Sequence, residues 1–297
     1  MTTTTPTKQR GVWLNIFGWG LLLWLLAAAV TYLTANVILI PTLVLLGSFL
    51  VPASFVAWAY QRRSTGEITT ELLFQTFLIG GILGVLAASL AETYLLRPSP
   101  WMFFGVGLIE EAVKLTALAF CTRHLHTRTP RDGMILGATV GFGFAAFESA
   151  GYALVASFTL HGLSLTDLVS TELLRGLLTP VGHGLWTAIL GGILFATTKN
   201  NRYTITTKLI AALIGVSLLH GLWDSMDSIA VLVTYVIAGQ PWQYQLLQLG
   251  YLPEPTETQV QTFTALTWIG RAGVSVIGVL WLAELLRHTR RHEPVQG

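Results

Sequence analysis

The chain has 297 residues, of which 53% are hydrophobic and only 11% are charged. A soluble domain usually carries about 25% charged residues, so this composition excludes an ordinary soluble protein, and the formal net charge of +2 gives no reason to expect a nucleic-acid partner. Cys121 is the single cysteine, which excludes an internal disulfide and a thiolate metal cluster.

Long apolar segments follow one another along the whole chain. A membrane-spanning helix needs about 20 mostly apolar residues. Eight segments qualify, at 12–34, 36–60, 69–96, 101–122, 133–158, 175–198, 208–238 and 263–286. We therefore predict an all-α, polytopic membrane protein with about eight transmembrane helices and the lipid bilayer as its surroundings. Residues 12–286 would form one transmembrane domain between cytoplasmic tails at 1–11 and 287–297.

The basic residues indicate how these helices are oriented. If the N-terminus is cytoplasmic, only Arg97 and Arg175 fall on the outer side. The cytoplasmic side then carries Lys8, Arg10, Arg62, Arg63, Arg123, Arg128, Arg131, Lys199, Arg202, Lys208, Arg287, Arg290 and Arg291. Cytoplasmic connections are enriched in Lys and Arg. We therefore predict that both termini are cytoplasmic, in a multi-pass protein of a bacterial or archaeal cell membrane.

Several ionisable residues interrupt the apolar segments. They are Glu110, Glu111, Lys114, Glu148, His183, His220, Asp224, Asp227 and Arg271. Each charged carboxylate near a helix centre costs about 2.5–3.5 kcal/mol on insertion scales, and such residues usually mark a functional site. At about 1.5 Å per residue, Glu110, Glu111, Glu148 and His183 lie roughly 12–15 Å below the outer helix ends. These side chains are therefore expected to meet at one depth.

The spacing within each segment favours specific pairs. In IEEAVK, Lys114 follows Glu110 by four residues and Glu111 by three, so it can neutralise one of the two carboxylates. In HGLWD, His220 and Asp224 are one helical turn apart, which suits an acid that orients an imidazole. Phe144 and Glu148 are likewise one turn apart. The tetrapeptide His-Gly-Leu-Trp occurs at both histidines, 183–186 and 220–223, and we interpret these as two parts of one site.

The order of these motifs carries a resemblance. Glu-Glu-x-x-Lys, Phe-x-x-x-Glu, a histidine and His-x-x-x-Asp, each on its own helix between residues 101 and 225, resemble the PrsW family of intramembrane proteases. That family is related to the CAAX prenyl endopeptidase and Abi group, in which the patterns are Glu-Glu-x-x-x-Arg, Phe-x-x-x-His and His-x-x-x-Asn or similar. The resemblance implies an endopeptidase that cuts a membrane-anchored protein in or near its membrane segment, and an anti-sigma factor is one possible substrate.

The resemblance also implies which residues act. Glu110 and Glu111 match the first motif, with Glu111 as the expected general base, although the two can be exchanged. Glu148 and His183 would bind and polarise the water or a metal, and His220, oriented by Asp224, would stabilise the oxyanion. The expected supporting residues are Lys114 and Phe144.

Two questions about the chemistry stay open at the level of sequence. Glu148, His183 and His220 form a candidate ligand set for catalytic Zn²⁺, which typically takes three protein ligands; without metal, Glu111 and Glu148 would share the water instead. No organic cofactor is expected. A proton- or ion-coupled transporter is the alternative function, because membrane carboxylates and histidines also form proton relays.

Overall fold

The computed structural model describes residues 11–200 and 202–292, and nearly all of this part of the chain is helical. The helices are α1 Val12–Thr34, α2 Ile40–Tyr60, α3 Thr70–Leu78, α4 Gly84–Leu95, α5 Met102–Cys121, α6 Pro130–Ala156, α7 Leu165–Leu178, α8 His183–Ala196, α9 Thr207–Asp224, α10 Met226–Ala238, α11 Pro241–Gln248 and α12 Glu257–His292. Strands β1 (Phe158–Thr159) and β2 (Gly162–Leu163) form a short antiparallel hairpin after α6.

The predicted class, an all-α polytopic membrane protein, is confirmed. Seven helical segments in the described residues are long and apolar enough to cross a membrane. The remaining predicted span, 101–122, corresponds to α5, whose 20 residues include three charged side chains, Glu110, Glu111 and Lys114. These three residues are buried, so α5 lies among the other helices with its charges turned inward.

Three predicted boundaries differ from the structure. The span predicted at 208–238 is two helices, because α9 ends at Asp224 and α10 begins at Met226. Ser225 lies at the break, and its hydroxyl donates a hydrogen bond to the Leu222 carbonyl (3.2 Å), a contact that competes with helix continuation. Helix α12 continues to His292, beyond the predicted end at 286. The span predicted at 175–198 begins within α7, and a 3₁₀ turn at Thr179–Val181 separates α7 from α8.

Helices α6 and α8 form the centre of the bundle. They approach closely because three glycines of α6 face the α8 backbone. A Cβ atom on Gly133 would overlap the Gly191 carbonyl, one on Gly137 the Thr187 carbonyl, and one on Gly141 the His183 carbonyl. Small residues permit this approach between membrane helices. The contact sets the position of His183, the first residue of α8.

Helices α5 and α9 form a second close pair. A Cβ atom on Gly107 of α5 would lie 2.7 Å from the Ser217 carbonyl, and one on Gly221 of α9 would lie 2.9 Å from the Phe104 Cα atom. The two glycines thus let the backbones touch beside His220. A π-helical segment at Ile79–Leu83 joins α3 to α4, so that these two helices form one membrane-crossing segment against α6.

Candidate active site

Three charged residues lie on the inner face of α5. The Lys114 side chain is 0% exposed and its Nζ donates to Glu110 Oε2 (2.9 Å) and Glu111 Oε1 (2.8 Å). The same ammonium lies 4.0 Å from the centre of the Phe144 ring, a cation–π contact. Lys114 therefore offsets the charge of two carboxylates in a region from which water is largely excluded.

His183 lies at the start of α8 because the chain cannot continue as a helix before it. Pro180 lies in the 3₁₀ turn Thr179–Val181, and Gly182 has φ −106° and ψ −127°, outside the helical region. His183 Nε2 lies 3.0 Å from Glu148 Oε2, and its Nδ1 lies 2.9 Å from Lys114 Nζ. Because Lys114 is a donor, these partners assign the proton to Nε2 and leave the Nδ1 lone pair facing the site.

His220 projects from the middle of the bundle on α9. Its Nε2 lies 3.4 Å from Asp224 Oδ2 and 3.7 Å from Glu110 Oε2, and its Nδ1 lies 3.2 Å from Glu111 Oε1. The Nδ1 contact is close but is not aligned for a hydrogen bond. Trp186 packs against the ring, with 4.5 Å between centroids. Glu111 Oε2 accepts a further hydrogen bond from Thr187 Oγ1 (3.3 Å).

Arg175 of α7 contacts the same Glu148 oxygen, Oε2, as His183 does. Its Nη2 contacts Glu148 Oε2, and its Nε donates to Ser149 Oγ (2.8 Å). The count of basic residues in the sequence placed Arg175 in an outer connection, because the membrane span was predicted to begin at 175. The described helix begins ten residues earlier, at Leu165, and places this guanidinium inside the protein.

These groups surround a cavity of about 560 Å³. Glu110, Glu148, His183, Trp186, Arg175 and Asp224 line it, and so does Glu92 of α4. Glu111, Lys114 and His220 are not among the lining residues, since they lie behind Glu110. Arg271 and Asp227 form an ion pair (2.9 Å) at another part of the wall. The cavity can therefore hold a peptide segment between polar groups of both signs.

One group of described residues has the composition and spacing of a metal site. Glu110, His183 and His220 each offer a ligand atom, and these atoms lie within 4.8 Å of one another. Glu110 Oε2 lies 3.8 Å from His183 Nδ1 and 3.7 Å from His220 Nε2. A tetrahedral Zn²⁺ with ligand bonds of about 2.0–2.2 Å holds its ligand atoms roughly 3.4 Å apart. The two separations from Glu110 require a small inward shift, and the two histidine nitrogens lie within 4.8 Å of each other.

Comparison with known proteins assigns the family. Residues 69–249 match the model described as "PrsW family intramembrane metalloprotease". The chain belongs to this family. It is 27% identical over 189 residues to the protease PrsW of Halalkalibacterium halodurans, which covers 61% of this chain and 82% of the relative. It is 25% identical over 191 residues to the protease PrsW of Geobacillus kaustophilus, covering 63% of this chain and 74% of that relative. No solved structure matches the chain.

Membership of the PrsW family confirms the predicted class of enzyme, a peptidase embedded in the membrane. The relation to the CAAX and Abi group stays a prediction. The structure brings the six candidate residues of the sequence motifs into one connected group of contacts. Three further residues belong to the site and were not predicted. Arg175 contacts Glu148, Thr187 contacts Glu111, and Glu92 lies on the cavity wall.

These additions gave only a weak signal in the sequence. Thr187 is a common residue in membrane helices, and Arg175 and Glu92 lie near predicted helix ends, where charged residues are ordinary. The one available signal was the apolar periodicity of residues 165–178, which would have extended the predicted span and moved Arg175 inward.

We predict that Gly141→Ala will displace His183. The new methyl group would overlap the His183 carbonyl, and overpacking of this kind costs about 1–3 kcal/mol. Thermal unfolding in detergent and peptide cleavage should both be impaired. Gly151→Ala is the matched control, since no atom lies within 4 Å of a Cβ at that position of the same helix. Equal behaviour of the two variants would contradict the proposed constraint.

Proposed function

We propose that this PrsW-family protein hydrolyses a peptide bond in or near the membrane segment of a membrane-anchored protein. The observation that carries the proposal is the position of Glu110 Oε2, which faces both His183 Nδ1 (3.8 Å) and His220 Nε2 (3.7 Å) at the wall of the cavity. Peptide hydrolysis needs an activated water and a group that stabilises the oxyanion. A carboxylate between two imidazoles supplies both within one cavity.

The proposal gives the two adjacent glutamates different roles. Glu110 lines the cavity, so it is the carboxylate that accepts the proton of the attacking water and then passes it to the leaving amine as the C–N bond breaks. Glu111 is 0% exposed, and its oxygens face Lys114, Thr187 and His220. In this proposal Glu111 positions His220 and balances Lys114. Sequence reasoning favoured Glu111 as the base with Glu110 as its alternative, and the contacts support Glu110.

His220 and Asp224 form the part of the proposed site that stabilises the oxyanion. Asp224 is the more exposed of the two, with 30% of its side chain accessible, and its Oδ2 lies 3.4 Å from His220 Nε2. Glu111 orients the ring at Nδ1 (3.2 Å) and Asp224 lies beside Nε2, from which the imidazole donates a hydrogen bond to the developing oxyanion. Glu148 holds His183 through Nε2 (3.0 Å) and is itself held by Arg175.

The donor set also supports a zinc ion, held by Glu110, His183 and His220. His183 has its Nε2 near Glu148 and its Nδ1 facing Glu110. His220 has its Nδ1 near Glu111 and its Nε2 facing Glu110. Carboxylates that orient the outer nitrogen are characteristic of histidine metal ligands. The bound ion would supply a polarised water at neutral pH. If Glu110 binds the ion, it cannot also accept the proton of the water. Asp224, whose Oδ2 lies 3.4 Å from His220 Nε2, would then be the carboxylate that accepts this proton.

Lys114 sets a condition on metal binding. Its Nζ lies 2.9 Å from both Glu110 Oε2 and His183 Nδ1, two of the three donor atoms. A dication at these atoms would repel the ammonium. Lys114 would then move away from these two donor atoms and keep its contact with Glu111 Oε1, which lies 2.8 Å from Nζ. This set differs from the one proposed from the sequence, since Glu148 contacts His183 in place of joining the three donor atoms.

We predict about one zinc ion per chain in active protein, since three donors and one water complete a catalytic site. His183→Ala should lose the ion, as measured by elemental analysis, because it removes one donor. His161→Ala, an exposed histidine between β1 and β2, is the matched control and should retain it. Full activity in protein shown to be metal-free would contradict the zinc proposal and favour direct water activation by the glutamates.

The proposed substrate is a protein with a single membrane segment, such as an anti-sigma factor cut in a site-1 manner. The experiment that tests the function uses purified protein in liposomes with candidate membrane-anchored proteins chosen by comparing cells with and without the enzyme. Cleavage products support the proposal. Solute- or pH-driven flux without cleavage would instead favour the transporter alternative.

We predict that the cut lies on the outer side of the substrate's membrane segment. Glu110 lies eight residues, roughly 12 Å, from the start of α5. With both termini cytoplasmic, as the basic residues favour, this start faces outward. Mass spectrometry of the products measures the position. A cut confined to the cytoplasmic juxtamembrane region would contradict either the orientation or the depth.

A further inference from the structure

A second cavity, of about 410 Å³, lies between α2, α6, α8 and α12. It is separate from the active site, and its lining follows one stripe on each of three helices. On α2 and just after its end, the stripe consists of Phe55, Trp58, Ala59 and Arg62. On α6, it consists of Arg131, Met134, Ile135, Ala138 and Phe142. On α12, it consists of Leu282, Leu286, Thr289 and Arg290. Each stripe is mostly apolar and ends in an arginine.

The three arginines lie at the same end of the cavity. Arg62 follows the C-terminus of α2, Arg131 is in the first turn of α6, and Arg290 is in the last turn of α12, so all three lie on one side of the bundle. No acidic side chain lines this cavity among the described residues. The guanidinium of Arg62 stacks on Trp58, while Arg131 and Arg290 have no hydrogen bond or ion pair within residues 11–200 and 202–292.

The length of the cavity matches one leaflet of a bilayer. Arg131 and Phe142 are 11 residues apart on α6, which corresponds to roughly 16 Å. The hydrocarbon core of a bilayer is about 30 Å thick, so one leaflet contributes about half of that. An occupant therefore needs an anionic end and an apolar tail one leaflet long. A transmembrane helix of a partner, about 10 Å wide, does not fit a slot of this volume and length.

We propose that this cavity binds an anionic glycerophospholipid, with its phosphate on Arg62, Arg131 and Arg290 and one acyl chain along α6. Basic pockets between membrane helices on the cytoplasmic side are suited to anionic headgroups. The far end of the cavity is lined by Pro180 and Gly184, which lie three residues before and one residue after His183 in the chain. The acyl chain would therefore contact the turn that positions this histidine.

Native mass spectrometry of the full-length protein with phosphatidylglycerol or phosphatidylcholine tests the proposal. Wild type should retain phosphatidylglycerol preferentially. Arg131→Ala/Arg290→Ala should weaken this retention on the order of 30-fold, since each basic residue contributes about 1 kcal/mol toward an anionic lipid. Arg123→Ala/Arg287→Ala is the matched control, because it removes the same charge from the same side without altering the lining, and it should retain the lipid.

A second measurement tests the tail. A phosphatidylglycerol analogue with a photoreactive group near the end of one acyl chain should crosslink to the peptide that contains Pro180 and Ala188, and Ala138→Phe should reduce this crosslink by filling the slot. Melting temperatures of all variants verify that they fold. Equal retention by both double variants, equal loss in both, or crosslinks scattered over the lipid-facing surface would overturn the proposal.

Discussion

Glu110→Gln is expected to lower the rate of substrate cleavage by about 10²–10⁴-fold, the range typical of a lost general base. The carboxylate meets water at the cavity wall and faces both imidazoles. Glutamine keeps the shape of the side chain but cannot accept the proton. In the zinc-bound form Glu110 is a ligand and not the base, so there the amide, a weaker ligand, should lower both the zinc content and the cleavage rate. Cleavage of a reconstituted substrate, with zinc measured on the same sample, gives both results.

The control for this variant is Glu172→Gln. Glu172 is also a buried carboxylate within the membrane helices, but it accepts a hydrogen bond from Trp24 Nε1 (2.8 Å) and does not line the cavity. Glutamine can still accept that bond, so cleavage should continue. Near-normal cleavage by Glu110→Gln together with its loss in Glu111→Gln would contradict our assignment and make Glu111 the base.

Lys114→Met is expected to destabilise the protein by about 3–5 kcal/mol, the cost of removing one partner from a buried ion pair. Lys114 is 0% exposed and contacts both Glu110 and Glu111, so its loss leaves two adjacent carboxylates without a cation. Methionine keeps much of the side-chain volume, which limits the effect to the lost charge. Thermal unfolding in detergent measures the change.

A compensating variant tests this explanation. Lys114→Met/Glu111→Gln removes one positive and one negative charge and should recover much of the lost stability. Lys208→Met is the control, since Lys208 is exposed at the start of α9, and it should have little effect. Wild-type stability of Lys114→Met, or a double variant less stable than the single one, would contradict the proposed charge balance.

The sequence predicted the fold class and the chemical types in the site because each has a local cause. Apolar length alone predicts a membrane helix, and the cost of a charge in lipid predicts that Glu110, Glu148 and His183 meet inside the protein. Spacing within one helix predicted the contact of His220 with Asp224, observed at 3.4 Å. These predictions need no knowledge of how the helices are arranged.

Contacts between helices were less predictable. Which carboxylate faces which nitrogen depends on helix rotation, and neither the Glu148–His183 contact (3.0 Å) nor the Lys114–His183 contact (2.9 Å) follows from spacing within a segment. The contact of Arg175 with Glu148 was not predicted, because the span was predicted to begin at 175 and α7 begins ten residues earlier. The break at Ser225 was not predicted either, although the polar residues of the sequence DSMDS, 224–228, interrupt the apolar segment 208–238 at this point.

The two glycine-mediated helix pairs have a mechanical consequence. The backbones of α6 and α8 pack closely beside Gly141, and the backbones of α5 and α9 pack closely beside Gly107 and Gly221. Glu148 and His183 belong to the first pair, whereas Glu110, His220 and Asp224 belong to the second. Each pair keeps its internal contacts if the pairs separate, but His183 then loses Glu110 and Lys114. The site is therefore complete only while the two pairs stay packed against each other, and a ligand that holds them apart would act as an inhibitor.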